Sequence, residues 1–232
     1  MGGLRRINHR GGKSQMHLLR AMLATLIATL LMGLVTITAS ANRLSVSNRN
    51  ARVVYRSLEF TEAESSFGTV RCPVTLEGSF HSGTIRKATN ALIGHITRAS
   101  VGAASACTGG SVTVLAETLP WHILYEGFTG TLPIIQSVRY SDVGVAVRLH
   151  IRILFEFFCL LRSEAGQPMN GEVNVEASGN TTNLTPEPNA SIPLTSAGGS
   201  GCPSTTGHFE APAGDGVITL LGNTQSIKIT LI

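Results

Sequence analysis

The stretch AVRLHIRILFEFFCLLR, residues 146–162, carries the clearest period-two pattern of the chain. Its odd-numbered positions form an unbroken apolar series, which comprises Val147, Leu149, Ile151, Ile153, Phe155, Phe157, Cys159 and Leu161. The even-numbered positions are polar at Arg148, His150 and Arg152 and then, apart from Glu156, turn apolar. Because successive side chains of a strand point to opposite faces, this pattern predicts β-structure. The change along the second face predicts either one strand covered on both sides at its far end or two strands joined by a bulge.

Two further stretches extend the β-pattern towards both ends of the chain. In VRCPVTLEGSF, residues 70–80, apolar and polar side chains alternate. In GVITLLGNTQSIKITLI, residues 216–232, Gly222 and Asn223 separate two β-rich runs and predict a hairpin. Weaker strands are predicted at residues 52–60, 111–117, 131–140, 172–178 and 190–195. Residues 84–98 fit either one short helix or a strand, because apolar residues follow helical spacing whereas Gly94 and the threonines favour a strand.

The fold class predicted from these patterns is all-β. About ten strands with frequent turn residues favour a two-sheet β-sandwich of jelly-roll type. An outer-membrane barrel is the rival, but it should show aromatic girdles and repeated ten-residue amphipathic segments. We expect one domain over residues 42–232, with a long polar loop region at 163–206 that is rich in Gly, Pro, Ser, Thr and Asn.

The first 41 residues have the pattern of a targeting segment. Five basic residues and no acidic residue precede an apolar run at 21–38, and Ala39-Ser40-Ala41 follows. This order predicts a secretory signal helix that is cleaved after Ala41. An uncleaved anchor is the alternative, because the run approaches the roughly 18 residues needed to span a bilayer. In that case the protein would contact a membrane only through this segment.

The charge and cysteine content restrict the partners of the remaining chain. Five of the 18 basic residues lie in the targeting segment and none of the 14 acidic ones does, so residues 42–232 carry a net charge of −1. We therefore expect no nucleic-acid partner. Four cysteines in an exported chain predict two disulfides with three connectivities. Proximity along the chain favours Cys72–Cys107 and Cys159–Cys202. The cysteines have no zinc-site spacing, so neither a metal nor another cofactor is predicted.

The segment LPWHILYEGF, residues 119–128, holds the only tryptophan of the chain. In a strand, Trp121 and Tyr125 would lie on one face, whereas His122 and Glu126 would lie on the other. The alternation favours a strand whose aromatic side chains fill the core. The alternative is that Trp121 and Tyr125 form an exposed platform on which a sugar stacks.

Two pairs of polar residues are the candidates for catalysis. Glu77 and His81 lie four positions apart, as do His122 and Glu126. If the two strands were neighbours in register, two carboxylates and two imidazoles would converge for acid–base chemistry. No G-x-S-x-G, H-E-x-x-H, Walker or G-x-G-x-x-G motif is present.

The motifs RCPVTLEGSF, CTGG, LPWH, GTLP and ITLLGN together resemble a group of uncharacterised exported bacterial proteins. The resemblance runs over most of residues 50–232 and implies secretion and a β-rich fold. The group has no known activity to carry over.

The function expected from these observations is a non-enzymatic, disulfide-bonded module in the cell envelope or outside the cell. It would bind a wall glycan or polymer or another envelope protein, or act structurally. The alternative is a secreted polysaccharide hydrolase that uses Glu77 and Glu126 as its carboxylates.

Overall fold

The computed structural model describes residues 43–62, 68–131, 134–152, 156–187, 191–197, 201–202 and 204–232. All of them belong to one structural unit, Asn42–Ile232. The predicted signal helix and its cleavage position after Ala41 lie outside the described residues. Within the described part of the chain, no helix combines the length and hydropathy needed to cross a bilayer.

The described residues form sixteen strands and two single-turn 3-10 helices, at Ala104–Ala106 and Ala116–Thr118, without an α-helix. The strands are β1 (Arg43–Val46), β2 (Asn50–Glu62), β3 (Thr69–Phe80), β4 (Thr84–Arg86), β5 (Ala91–Val101), β6 (Gly110–Val114), β7 (Trp121–Thr129), β8 (Ser137–Val143), β9 (Ala146–Arg152), β10 (Glu156–Arg162), β11 (Met169–Val175), β12 (Thr181–Pro186), β13 (Ile192–Ser196), β14 (Thr206–Glu210), β15 (Val217–Leu220) and β16 (Ile229–Leu231).

Eight of these strands close into an antiparallel barrel. Their order is β2-β3-β5-β7-β8-β11-β12-β15, and β15 returns to β2 by pairing Val217 with Val54 and Leu220 with Ala51. The all-β prediction is therefore confirmed, but the two-sheet jelly-roll sandwich is wrong. Closure leaves no unpaired edge in the ring, which an open sandwich sheet would have to protect by other means.

Strand β2 also starts a second run of strands outside the barrel. Its register with β3 shifts between Tyr55 and Leu58, and beyond the shift it pairs with β14 instead of β15. The run continues β14-β13-β10-β9-β6. Ahead of β6, Thr108 bridges back to Arg71 of β3, so the outer strands return to the barrel wall.

A separate three-stranded sheet, β16-β1-β4, packs its apolar side chains inward. Leu44 and Ile85 are buried, and so are Ile227 and Ile229 beside them. Ile85 and Ile229 also line the space inside the barrel. The small sheet therefore covers part of the barrel interior.

The stretch 146–162 forms the two antiparallel strands β9 and β10. Cys159 pairs with Leu149 and Leu161 with Val147, so the apolar series faces one side across both strands. Neither predicted alternative, a single strand covered on both sides or two strands joined by a bulge, is correct, because the second half runs back along the first. The connecting residues 153–155 lie outside the described part.

The predicted C-terminal hairpin is also wrong. Strand β15 pairs with β2 and β12, whereas β16 pairs with β1 in the small sheet. The Gly222 turn is present, with a hydrogen bond from the Leu220 N–H to the Gln225 carbonyl. Both strands pair with strands that are distant in sequence, and such pairing cannot be predicted from a local turn motif.

Residues 84–98 form strands β4 and β5 and contain no helix. Gly94 allows β5 to approach β3 closely, since a Cβ at this position would lie 2.7 Å from the Ser79 carbonyl oxygen. The polar region 163–206 contains three strands, β11, β12 and β13, of which the predictions at 172–178 and 190–195 anticipated two.

Both predicted disulfides are confirmed. Cys72 bonds to Cys107, and Cys159 bonds to Cys202. Cys72 and Cys159 are buried in the apolar core, whereas their partners lie on connecting segments at its margin. Each bond therefore ties a connection to the sheet core.

Candidate functional site

The interior of the barrel contains a cavity of about 70 Å³. Its wall is almost entirely aliphatic, with side chains such as Val53, Leu76, Ile93, Ile123, Val173 and Ile218 from six of the eight barrel strands. We call this space the lumen. It exists because alternate residues of each barrel strand point inward and their side chains do not fill the centre completely.

Strand β8 brings one carboxyl group to the lumen, that of Asp142. Val138, Tyr140 and Asp142 share the inward parity of this strand and all line the cavity. Asp142 is only 2% exposed, and its Oδ1 has no hydrogen-bond partner among the described residues. Burial raises the pKa of Asp142 from 3.8 to about 8, so the carboxyl group is mainly protonated at neutral pH.

Two buried phenols accompany this carboxyl group. Desolvation raises the pKa of both Tyr55 and Tyr140, and the Asp142 charge raises it further. The two hydroxyls interact with each other, but the Tyr140 Oη lacks a partner with good hydrogen-bond geometry in the described part of the chain. A Cβ at Gly171, opposite Tyr140 on β11, would collide with this hydroxyl, so glycine makes room for it.

A polar groove of about 600 Å³ crosses the outer face of the same wall. Glu126 on β7, Arg139 on β8 and Glu172 on β11 line it, together with Asn170 and Glu187. We call this space the groove. Tyr140 lines both the lumen and the groove.

The structure does not bring the predicted catalytic pairs together. Strand β5 lies between β3 and β7, so the strands that carry Glu77 and Glu126 are not neighbours. Glu77 lies opposite Arg98 and forms ion pairs with Arg52 and Arg98 at 3.7 and 3.2 Å. By the strand register, Glu77 and Glu126 lie roughly 20 Å apart. That distance exceeds the roughly 5–10 Å of paired glycosidase carboxylates, so the predicted convergence is wrong.

The intervening strand instead brings histidines together. His95 of β5 lies between His81 and His122, with ring centroids 4.4 and 5.0 Å away. Partial burial and the two neighbouring imidazoles lower the pKa of His95. No three His, Cys, Asp or Glu side chains in the described residues are arranged to hold a metal ion. The sequence-based hypothesis included His81 and His122 but missed His95, because only the strand order places it between them.

Trp121 and Tyr125 are buried, at 2% and 3% exposure. They therefore fill the core, and the exposed platform for a sugar is wrong. The Trp121 Nε1–H donates to the Thr118 hydroxyl at 2.9 Å. His122, of the opposite parity, faces solvent, and Glu126 lies partly buried in the groove.

Replacing Trp121 with alanine is expected to lower the free energy of unfolding by about 3–5 kcal/mol, because it leaves a large cavity in the core. Urea denaturation of the two proteins measures the difference. The neighbouring substitution His122→Ala serves as control and should stay within about 0.5 kcal/mol, since its side chain is exposed. A Trp121→Ala protein as stable as the wild type would contradict the core position.

Asp142 was not among the predicted site residues, because it lies two residues beyond the strand predicted at 131–140. Its inward position could have been predicted from the alternation, since Asp142 lies on the same strand face as Val138 and Tyr140. An aspartate on the apolar face of a strand is unusual, because charged groups are rarely buried without a partner.

No protein-family model, curated protein or solved structure matches this chain.

Proposed function

We propose that this protein is an exported, non-enzymatic binding protein whose lumen holds a small, mainly apolar molecule with one polar group. The observation that carries the proposal is the pair of polar atoms without good partners, Asp142 Oδ1 and Tyr140 Oη, in an otherwise apolar cavity. An unsatisfied buried polar group costs about 1–3 kcal/mol. A ligand that hydrogen-bonds to these atoms would recover that free energy while its apolar part contacts the aliphatic wall.

The polar group of the ligand follows from the state of Asp142. A protonated carboxyl group donates one hydrogen bond and accepts others, and the Tyr140 hydroxyl does the same. Alcohols and carbonyl compounds match these two groups. A cavity of about 70 Å³ admits only a few heavy atoms, since one of about 150 Å³ holds benzene. The ligand class is therefore a short-chain alcohol, aldehyde or ketone.

The two disulfides support the proposed location of the protein outside the cytoplasm. Two disulfides are compatible with an extracytoplasmic compartment, because such bonds persist where the environment is oxidising. Together with the signal pattern of residues 1–41, they support secretion to the cell envelope or beyond. A wall glycan or envelope protein would then contact the outer surface instead of the lumen.

Binding in the lumen can be tested with alcohols and ketones of three or four carbons and with alkanes of the same length. We expect the polar compounds to shift amide resonances of lumen residues and to bind about tenfold more tightly than the alkanes. Val173→Phe should abolish binding, because Val173 lines the lumen. Val217→Phe is the matched control, since Val217 is 38% exposed on β15. Equal binding by the wild-type and Val173→Phe proteins would exclude the lumen as the site.

A further inference from the structure

Two residues that line the lumen carry a carboxyl group, but only one of these groups lies beside cations. Glu77 of β3 forms ion pairs with Arg52 and Arg98, whose side chains are 46% and 76% exposed, so its charge is balanced at the outer surface. Asp142 of β8 is buried, and its Oδ1 has no hydrogen-bond partner among the described residues. An ionised Asp142 would therefore be neither hydrated nor paired, which is costly in apolar surroundings.

The remaining wall of the lumen supplies no balancing charge. In the described part of the chain, no lysine, arginine or histidine lines it. The lining residues of β4, β5, β7, β11, β12, β15 and β16 are all aliphatic. The charge of Asp142 therefore depends on the exchange of a proton and not on a neighbouring cation.

Two phenols beside Asp142 stay neutral when it ionises. Burial raises the pKa of Tyr55 on β2 and of Tyr140 on β8 above its usual value of 10.0, whereas burial raises the pKa of Asp142 only to about 8. The nearby Asp215 carboxylate also raises the pKa of Tyr55 and is itself fixed by the backbone N–H of Ser57, which donates to Oδ2 at 2.7 Å. In moderately alkaline solution, Asp142 is thus the polar group of the lumen that changes its charge.

The loss of this proton changes which ligands the site can hold. A protonated carboxyl group donates one hydrogen bond, whereas a carboxylate only accepts. A ketone only accepts, so ionisation of Asp142 removes a donor from it and introduces a competitor for the Tyr140 hydroxyl proton. An alcohol also donates, so it can give its proton to the carboxylate and keep a charge-assisted hydrogen bond.

We infer that the lumen is a pH-controlled site, which holds small carbonyl compounds while Asp142 is protonated, releases them when Asp142 ionises, and holds alcohols in both states. This inference rests on the proposed function and adds the regulation of the same site. Because coupling between two binding events is reciprocal, a bound ketone must also make the proton of Asp142 harder to remove.

Acetone and 2-propanol test the inference, because they have nearly the same shape and differ in the ability to donate. The side-chain methyl resonances of Ile93 and Ile123, which line the lumen, report binding at pH 6 and at pH 9.5. Only the protonated fraction binds acetone, so its affinity should fall at least about tenfold at the higher pH. The affinity for 2-propanol should change less than about threefold, since it keeps a hydrogen bond in both states.

Two variants assign the effect to Asp142. Asp142→Asn cannot ionise and keeps an N–H donor, so it should bind acetone equally well at both pH values. Glu117→Gln is the control and should retain the pH response of the wild type, because Glu117 is exposed and far from the lumen lining. Saturating acetone should also move the titration of the wild-type Asp142 carboxyl carbon, followed by NMR, to higher pH.

Four results would overturn the inference. Equal acetone binding by the wild type at both pH values would contradict the control by pH and leave the proposed function standing. Equal losses of acetone and 2-propanol would show a general loss of the lumen instead of a change in hydrogen bonding. A pH response that persists in Asp142→Asn would assign it to another group. Failure of both compounds to bind at pH 6 would contradict the proposed function itself.

Discussion

Asp142→Asn is expected to make the protein about 4 kcal/mol more stable at pH 7, with no gain at pH 4. The folded protein holds Asp142 at a pKa of about 8, against 3.8 for an exposed carboxyl group. Because the folded value is the higher one, the native state binds the proton more tightly, and the stability from Asp142 falls as pH rises between these values. Each pH unit in this window costs about 1.4 kcal/mol. Asparagine does not titrate and avoids that cost.

The measurement is urea denaturation of both proteins at intervals between pH 4 and pH 8. The difference in unfolding free energy should increase with pH and level off near pH 8. Glu117→Gln, an exposed carboxyl group on a 3-10 helix, is the control and should give a small, flat difference. A constant difference between wild type and Asp142→Asn would mean that Asp142 is not a buried acid in the native protein.

Removing both disulfides is expected to have the largest effect on stability. The bonds close loops with sequence separations of 35 and 43 residues, and each contributes about 4 kcal/mol in the chain-entropy model. The loops do not overlap, so the two contributions should be nearly additive. Their sum, about 8 kcal/mol, is comparable to the entire stability of a typical domain. The protein without either bond should therefore be largely unfolded at 37 °C.

Circular dichroism of Cys72→Ala/Cys107→Ala, of Cys159→Ala/Cys202→Ala and of the fourfold variant measures this effect. Each double variant should remain folded with a lower melting temperature, whereas the fourfold variant should lose its β-sheet spectrum. Alkylation of the oxidised wild type is the control, because it should modify no cysteine of the described residues. A fourfold variant as stable as either double variant would contradict additivity.

Local patterns predicted most strands and both disulfides, because both depend on residues close in sequence. Alternation from Val70 to Phe80 requires only one apolar and one polar face. Cys72 lies in β3, and Cys107 follows β5, which pairs with β3. The same alternation is compatible with a sandwich and with a closed barrel. The choice depends on the pairing of β2 with β15, whose partners lie near opposite ends of the domain, and no local signal specifies that pairing.

The sites were harder to predict than the strands. Glu126 was selected from the sequence, but its structural neighbours are Ser141 and the groove around Arg139, not Glu77. The pairing order placed β5 between the strands assumed to be adjacent. The position of Asp142 on the inward face could be read from the alternation of its strand, whereas the lack of a hydrogen-bond partner for its Oδ1 depends on the curvature of the eight strands around it.

The pairing of β2 with the last strands has a consequence for biosynthesis. Residues near Val54 are synthesised long before their partners in β14 and β15, which include Val217. A nascent chain therefore cannot complete the barrel until Val217–Leu220 has been synthesised, and its apolar strands must not aggregate before then. Such delayed closure would suit a polypeptide that has to cross a membrane before it folds.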